Sequence, residues 1–225
     1  PMGSLPYLSK NINILKERTI AGFNISCVGD ERCYSFLPSR LGNTLADKVA
    51  KHTLKHIDSN FRSYSWNDRG SDERQYCAPG IDLPVVNMAR SKSKEYPEYH
   101  TSLDDLQNVV TPDGLFGGFD MITKAIETIE SNCYPQVTTL GEPNLGSRNL
   151  YPTIGAIKKT NSIFTLKNLL TYSDGKTSLL DIAEKCNVYV LDLLPLLYKL
   201  EEESLVTLNH KPVNSFLINE QEYSL

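Results

Sequence analysis

Histidine, tryptophan and cysteine are scarce: 225 residues carry four His, one Trp and five Cys. Cys27, Cys33, Cys77, Cys133 and Cys186 are odd in number, scattered and never spaced C-x-x-C. That argues against both a disulfide framework and a cysteine-rich zinc module, and it fits a reducing cytoplasm. Positive charge is not in excess either. With 23 Lys and Arg against 27 Asp and Glu, the formal charge is −4, which gives no global basis for gripping nucleic acid or an anionic membrane. No apolar run approaches the roughly 18 residues of a membrane span, and the first residues lack the basic and apolar regions of a signal peptide. An initiating Met is missing too, as expected of a fragment. The remaining composition is ordinary for a globular protein, and the length suits one medium domain plus a small one.

Ionisable chemistry is concentrated between Arg69 and Leu106. There Arg69-Gly-Ser-Asp-Glu73 and Tyr99-His-Thr-Ser-Leu-Asp-Asp105 flank an apolar, strand-like run from Leu83 to Ala89, the arrangement of a site in loops on a rigid scaffold. Periodicity organises the rest. Leu5, Leu8, Ile12 and Leu15 predict a helix, and Ile20 to Val28 a buried strand that stops at Gly29-Asp-Glu-Arg32. Thr44 predicts a helix start running to about Asp58, where His52 and His56 share a face; without an acidic third ligand nearby, packed or solvated histidines are the plainer reading. Phe61 to Trp66 alternates as a half-buried strand does. After Thr111-Pro-Asp-Gly, a stripe of Leu115, Phe119, Ile122, Ile126 and Ile129 marks a long helix. Strands alternating with helices imply an α/β layer fold whose sites lie beyond the carboxyl ends of its strands.

From Tyr134 to Pro152 the composition turns to Pro, Gly, Thr and Asn, as in a linker or surface crossover. Three helices, from Ile163, Ser178 and Val190, and a strand from Leu205 then describe a winged helix. Asp192 as cap of the third helix would bring Pro195 into its first turn. The domains are therefore 1–135, a linker over 136–158, and 159–225.

Asp30 and His100 are the best candidates for oxygen and nitrogen ligands of a hydrolytic zinc. Glu31, Asp72 and Glu73 could meet substrate, serve as a base or hold loops through arginine pairs. Asp104 or Asp105 could accept the second ring N–H of His100, or both could cap a short helix near Leu106. Cys77 has no local base, so a nucleophilic role is disfavoured.

Ser71-Asp-Glu-Arg-Gln-Tyr-Cys-Ala-Pro-Gly-Ile-Asp-Leu-Pro84 and Tyr96-Pro-Glu-Tyr-His-Thr-Ser-Leu-Asp-Asp105 resemble the aminopeptidase-like DUF4910 family, distant relatives of the M28 zinc peptidases. Cys27-Val-Gly-Asp-Glu31 and Gly141-Glu-Pro-Asn-Leu-Gly-Ser-Arg-Asn-Leu-Tyr-Pro152 extend the likeness, and Asp174-Gly-Lys-Thr-Ser-Leu-Leu-Asp-Ile-Ala-Glu184 resembles its terminal winged helix. The resemblance implies part of a three-layer zinc-peptidase-like α/β sheet with flanking helices, followed by a small winged-helix domain. It implies Asp30 and His100 as metal ligands, with one or two zinc ions in the complete protein. Asp104 and Asp105 would stand behind His100, and Glu31, Asp72, Glu73 and Tyr99 on the substrate side. Glu73 replaces the His of the M28 Ser-Asp-His loop, and the earlier His and Asp segment and the base glutamate have no counterpart. The chain is thus expected to be a carboxyl-terminal portion.

The expected function is a zinc-dependent hydrolase, an aminopeptidase or amidase acting on a small peptide-like, amidated or amino-sugar-linked substrate. The alternative is a non-catalytic binding or scaffold protein with a winged-helix adaptor. The third helix of the winged unit carries Lys199 among Asp192, Glu201, Glu202 and Glu203, which favours protein contact over base reading. An oligomer is compatible with the sequence, and no membrane association is expected.

Overall fold

The computed structural model describes residues 2–146, 148, 150 and 160–213, with side chains described from 163 onward in the last span. Residues 147, 149 and 151–158 of the expected linker, and residues 159 and 214–225 of the expected winged-helix domain, lie outside the described residues. The chain forms two units that divide between Glu127 and Thr128.

In the first unit, the apolar repeat from Leu5 to Leu15 produces helix α1 (Ser4–Arg18). Its Leu8 joins Cys77, Leu83 and Val85 in a small core, ringed by Ile12, Leu15, Trp66, Tyr76 and Ile81. Strands β1 (Gly22–Ile25), β2 (Ser35–Leu37), β3 (Arg62–Ser63) and β4 (Val85–Ala89) make one sheet in the order β1-β4-β2-β3. β1 runs parallel to β4, from Gly22 opposite Val85 to Ile25 opposite Met88. β2 runs antiparallel to β4, and β3 parallel to β2. Every residue of the central strand β4 is buried, and alternation assigns its side chains to two faces. Val85 meets α1 and the short helix α3 (Glu73–Tyr76), while Val86 and Met88 face the other way, toward helix α2 (Leu45–Ile57). Helices therefore flank both faces of the sheet.

α2 begins where Thr44 predicts. The Thr44 hydroxyl and backbone N–H both donate to Asp47 Oδ2, at 2.7 and 3.0 Å, and Ser39 donates to the same carboxylate through N–H and hydroxyl. His52 is buried with its ring 4.7 Å from that of His56, a packed pair.

Three expectations in this unit change. The alternating run from Phe61 to Trp66 supplies only the two exposed residues of β3, because Ser65 and Asp68 cap each other and turn the chain into a 3-10 helix over Trp66–Asp68. The strand from Ile20 shortens to β1, since Cys27 adopts a left-handed φ of 51°. No helix begins near Leu106; Asp105 Oδ1 instead accepts from the backbone N–H groups of Gln107 and Asn108, closing a turn.

Helix α4 (Pro112–Glu130) forms as its stripe predicts, yet most of that stripe is not the packed face. Leu115, Phe119 and Ile126 are exposed, whereas Gly114, Gly117, Gly118, Met121 and Ala125 are buried. The reason is close approach. A Cβ at Gly114 would stand 2.0 Å from Gly29 O, and one at Gly118 2.6 Å from Val28 O, so the small residues must face the turn that follows β1.

The second unit contains α5 (Thr160–Tyr172), α6 (Leu179–Cys186), α7 (Val190–Glu202) and an antiparallel pair, β5 (Tyr134–Val137) with β6 (Val206–Asn209). This is a winged helix. Its core gathers Leu166, Leu169, Leu179, Ile182, Leu193, Leu197 and Leu200. β5 lies where composition suggested linker, because Pro135 masks a strand that also bridges to Asp174 through Gln136. Asp192 is not the α7 cap either. Tyr189 holds that position, so Asp192 falls in the first turn and Pro195 inside the helix.

Gly114→Ala is expected to lower the urea stability of the first unit by about 3 kcal/mol, since overpacking against rigid backbone has no side chain to yield. Gly3→Ala, with nothing within 4 Å of the added carbon, should leave it unchanged. Fluorescence of Trp66, the single tryptophan, reads both.

Candidate functional site

Parallel pairing of β1 and β4 brings two carboxyl ends side by side, and the loops leaving them meet at Asp30. Its side chain is buried at 3% exposure. Asp30 Oδ1 accepts from Arg32 N at 2.9 Å and Ser91 Oγ at 2.7 Å, and Oδ2 accepts from Ser91 N at 2.8 Å. Arg90 Nε donates to the Asp30 carbonyl at 2.7 Å, and Arg90 N to that of Cys27 at 2.9 Å. A carboxylate has about four acceptor positions, so three are already taken by the loops it joins. Glu31 is exposed and accepts from the Thr111 hydroxyl.

The segment bearing His100 is tied to the same turn. Arg32 and Glu98 form an ion pair at 2.9 Å, and the Arg32 guanidinium lies 5.4 Å from the centroid of the Tyr96 ring. Glu98 Oε2 is buried and has no partner among the described residues. The buried Tyr96 donates its hydroxyl to Asp104 Oδ2 at 3.0 Å. Burial, with Cys27 and Asp104 beside it, raises the Tyr96 hydroxyl far above the usual phenol range. Burial likewise raises the Cys27 thiol, with Asp104 and Asp30 adding to the effect, so it is a poor nucleophile at neutral pH. Cys77 is buried in the core and donates to the carbonyls of Leu83 and Val85, a packing role.

His100 itself is exposed and left-handed at φ 61°, with its ring stacked on Tyr99 at 4.0 Å. Neither acid expected behind it bonds to it: Asp104 engages Tyr96, and Asp105 engages its own turn and Asn108 Nδ2.

Asp72 and Glu73 belong to a separate group. Glu73 is 1% exposed; its Oε1 accepts from Gly70 N and Ser71 N, and its Oε2 from Asn24 Nδ2 at 2.7 Å. This carboxylate orders its loop against β1. Asp72 Oδ1 accepts from Ser4 Oγ at 2.7 Å, and an open cleft of about 340 Å³ beside it is lined by Leu15, Gly22, Phe23, Asn24 and Tyr76. Asp72 borders open space, whereas Glu73 is closed off from it.

Of the two zinc ligands that the resemblance implies, Asp30 already accepts from three donors and His100 is exposed. Among the described residues no three His, Cys, Asp or Glu side chains group so as to hold a metal ion. They do not make a metal centre by themselves. Sequence reasoning passed over Arg32, Arg90, Ser91, Tyr96 and Glu98. The signal for Arg90 and Ser91 was available, since they directly follow β4 at the strand ends where α/β sites form.

Residues 1–132 match the family described as a domain of unknown function, DUF4910, and residues 132–208 a winged helix-turn-helix. The chain belongs to the DUF4910 family. A Clostridium acetobutylicum protein named "Putative polysaccharide biosynthesis protein with aminopeptidase-like domain" is 37% identical over 186 residues, 82% of this chain and 42% of that protein. The crystal structure of a "putative peptidase" from the same organism aligns at a TM-score of 0.81 and 32% identity, over 91% of this chain and 45% of that one. The DUF4910 chain thus spans less than half the length of both relatives.

Asp30→Asn is expected to cost about 2–3 kcal/mol, because an amide turns a donor toward the Ser91 or Arg32 donors. His100→Ala should move stability by under about 0.5 kcal/mol; urea titration compares the two.

The Ser4 hydroxyl holds the Asp72 carboxyl below the usual carboxylate range. Its stabilising share is full above the unfolded value of about 3.9 and fades as pH falls through the lower folded value. The stability gap between wild type and Asp72→Asn should therefore be flat from pH 7 to 5 and shrink toward pH 3.

Proposed function

We propose that this chain carries part of the site of a peptidase-like hydrolase. One observation carries the reading: the Asp30 turn and the His100 segment meet beyond the carboxyl ends of parallel β1 and β4, tied by the Arg32–Glu98 ion pair. Similarity to an aminopeptidase-like protein and to a peptidase-titled structure supports it. In this reading Asp30 and His100 are the chain's contribution to a zinc centre of the complete protein, whose other ligands and base glutamate lie elsewhere. Zinc would supply a polarising Lewis acid and a bound water. Glu31, Tyr99 and the cleft beside Asp72 would face a small peptide-like or amino-sugar-linked substrate. Glu73 would order the Gly70–Ser71 loop next to that cleft. The acidic exposed residues of α7, Asp192, Glu201 and Glu202, suit contact with a protein.

A second reading, a binding or scaffold protein, is favoured by the three donors that already occupy Asp30. Metal content separates the two. The full-length protein, reconstituted with zinc and measured by plasma mass spectrometry, is expected to hold at least one equivalent and to lose binding in His100→Ala. Less than one equivalent, unchanged by that substitution, overturns the hydrolase reading.

A further inference from the structure

Arg90 is a buried cation with no counter-ion among the described residues. It is 6% exposed, its Nε donates to the Asp30 carbonyl at 2.7 Å, and its guanidinium carbon lies 3.7 Å from the centroid of the Tyr34 ring. Among the described residues no carboxylate forms an ion pair with it, and its two terminal nitrogens donate to nothing. They are not sealed, since neither is among the buried polar atoms cut off from solvent. Guanidinium cannot shed its proton to relieve burial, and an aromatic face and one carbonyl stabilise a cation without neutralising it.

The Tyr34 hydroxyl stands beside the guanidinium, and both pack closely against α4. A Cβ at Gly117 would stand 3.0 Å from Arg90 Nη1 and 2.8 Å from Tyr34 Oη, so both groups approach one point on α4. The Tyr34 hydroxyl also lacks a partner among the described residues. The three free donors are therefore two guanidinium N–H edges and one phenol.

We propose that the outward ends of Arg90 and Tyr34 bind an oxyanion, the carboxylate or phosphoryl group of a small ligand anchored beside the Asp30 turn. The fork of Arg90 pairs with two oxygens, and the Tyr34 hydroxyl donates to one of them. The assignment does not depend on hydrolysis or on a metal.

Calorimetric titration of the chain with acetate and with inorganic phosphate, against chloride at matched ionic strength, tests it. Saturable binding of at least one anion is expected. Arg90→Lys, which keeps charge but loses the fork, should weaken it about tenfold, and Tyr34→Phe, which keeps the ring, about threefold. Arg62→Gln, an exposed arginine, should bind as wild type. Tighter acetate assigns a carboxylate ligand, and tighter phosphate a phosphoryl one. If Arg90→Lys does not fold, Tyr34→Phe decides. No saturable binding by wild type, or wild-type affinity in Tyr34→Phe and in Arg90→Lys, overturns the proposal.

Discussion

The buried carboxylate of Asp30 is the tie on which the first unit's functional end depends. β1 and β4 run side by side, but their exits diverge: one loop turns at Cys27 toward Arg32, and the other leaves through Arg90 and Ser91. Asp30 closes that divergence by accepting from Ser91 twice and Arg32 once. Desolvating a carboxylate is offset only when its acceptor positions are filled, and here neighbouring loops fill most of them. α4 then seats on this knot, and Gly114 and Gly118 are small because the Val28–Gly29 backbone lies directly beneath them.

Much of this order was legible in the residues. α1, α2, β4, α4 and the three helices of the winged unit follow from apolar period and cap chemistry, which are local. Asp30 and His100 were legible as site candidates because acids at a strand end and a histidine between turns are visible without knowing the fold. What escaped depended on partners far away in sequence. β2 is three residues long and exists because β4 pairs with it, and β5 is disguised by Pro135 until Asn209 and its neighbours supply the ladder.

Burial was less legible than secondary structure. The bulky stripe of α4 announces a helix correctly, yet close approach to a backbone turn outweighs apolar area at that contact, so glycine and alanine face inward. Glu73 shows the converse. In the sequence it reads as an acid for substrate, for base chemistry or for holding a loop, and only its buried carboxylate, taken by Gly70, Ser71 and Asn24, separates these roles. Composition reports which groups exist; the hydrogen-bond partners decide which remain available.

One feature of the sheet reaches beyond the site. In the order β1-β4-β2-β3, β1 stands at an edge, and its residues Gly22-Phe-Asn-Ile25 include neither proline nor charge. Edge strands are ordinarily blunted by such residues because their outer amides and carbonyls can template another strand. β1 carries neither, and among the described residues no strand pairs with its outer side, so the main-chain groups of Gly22 to Ile25 on that rim are left outside the ladder.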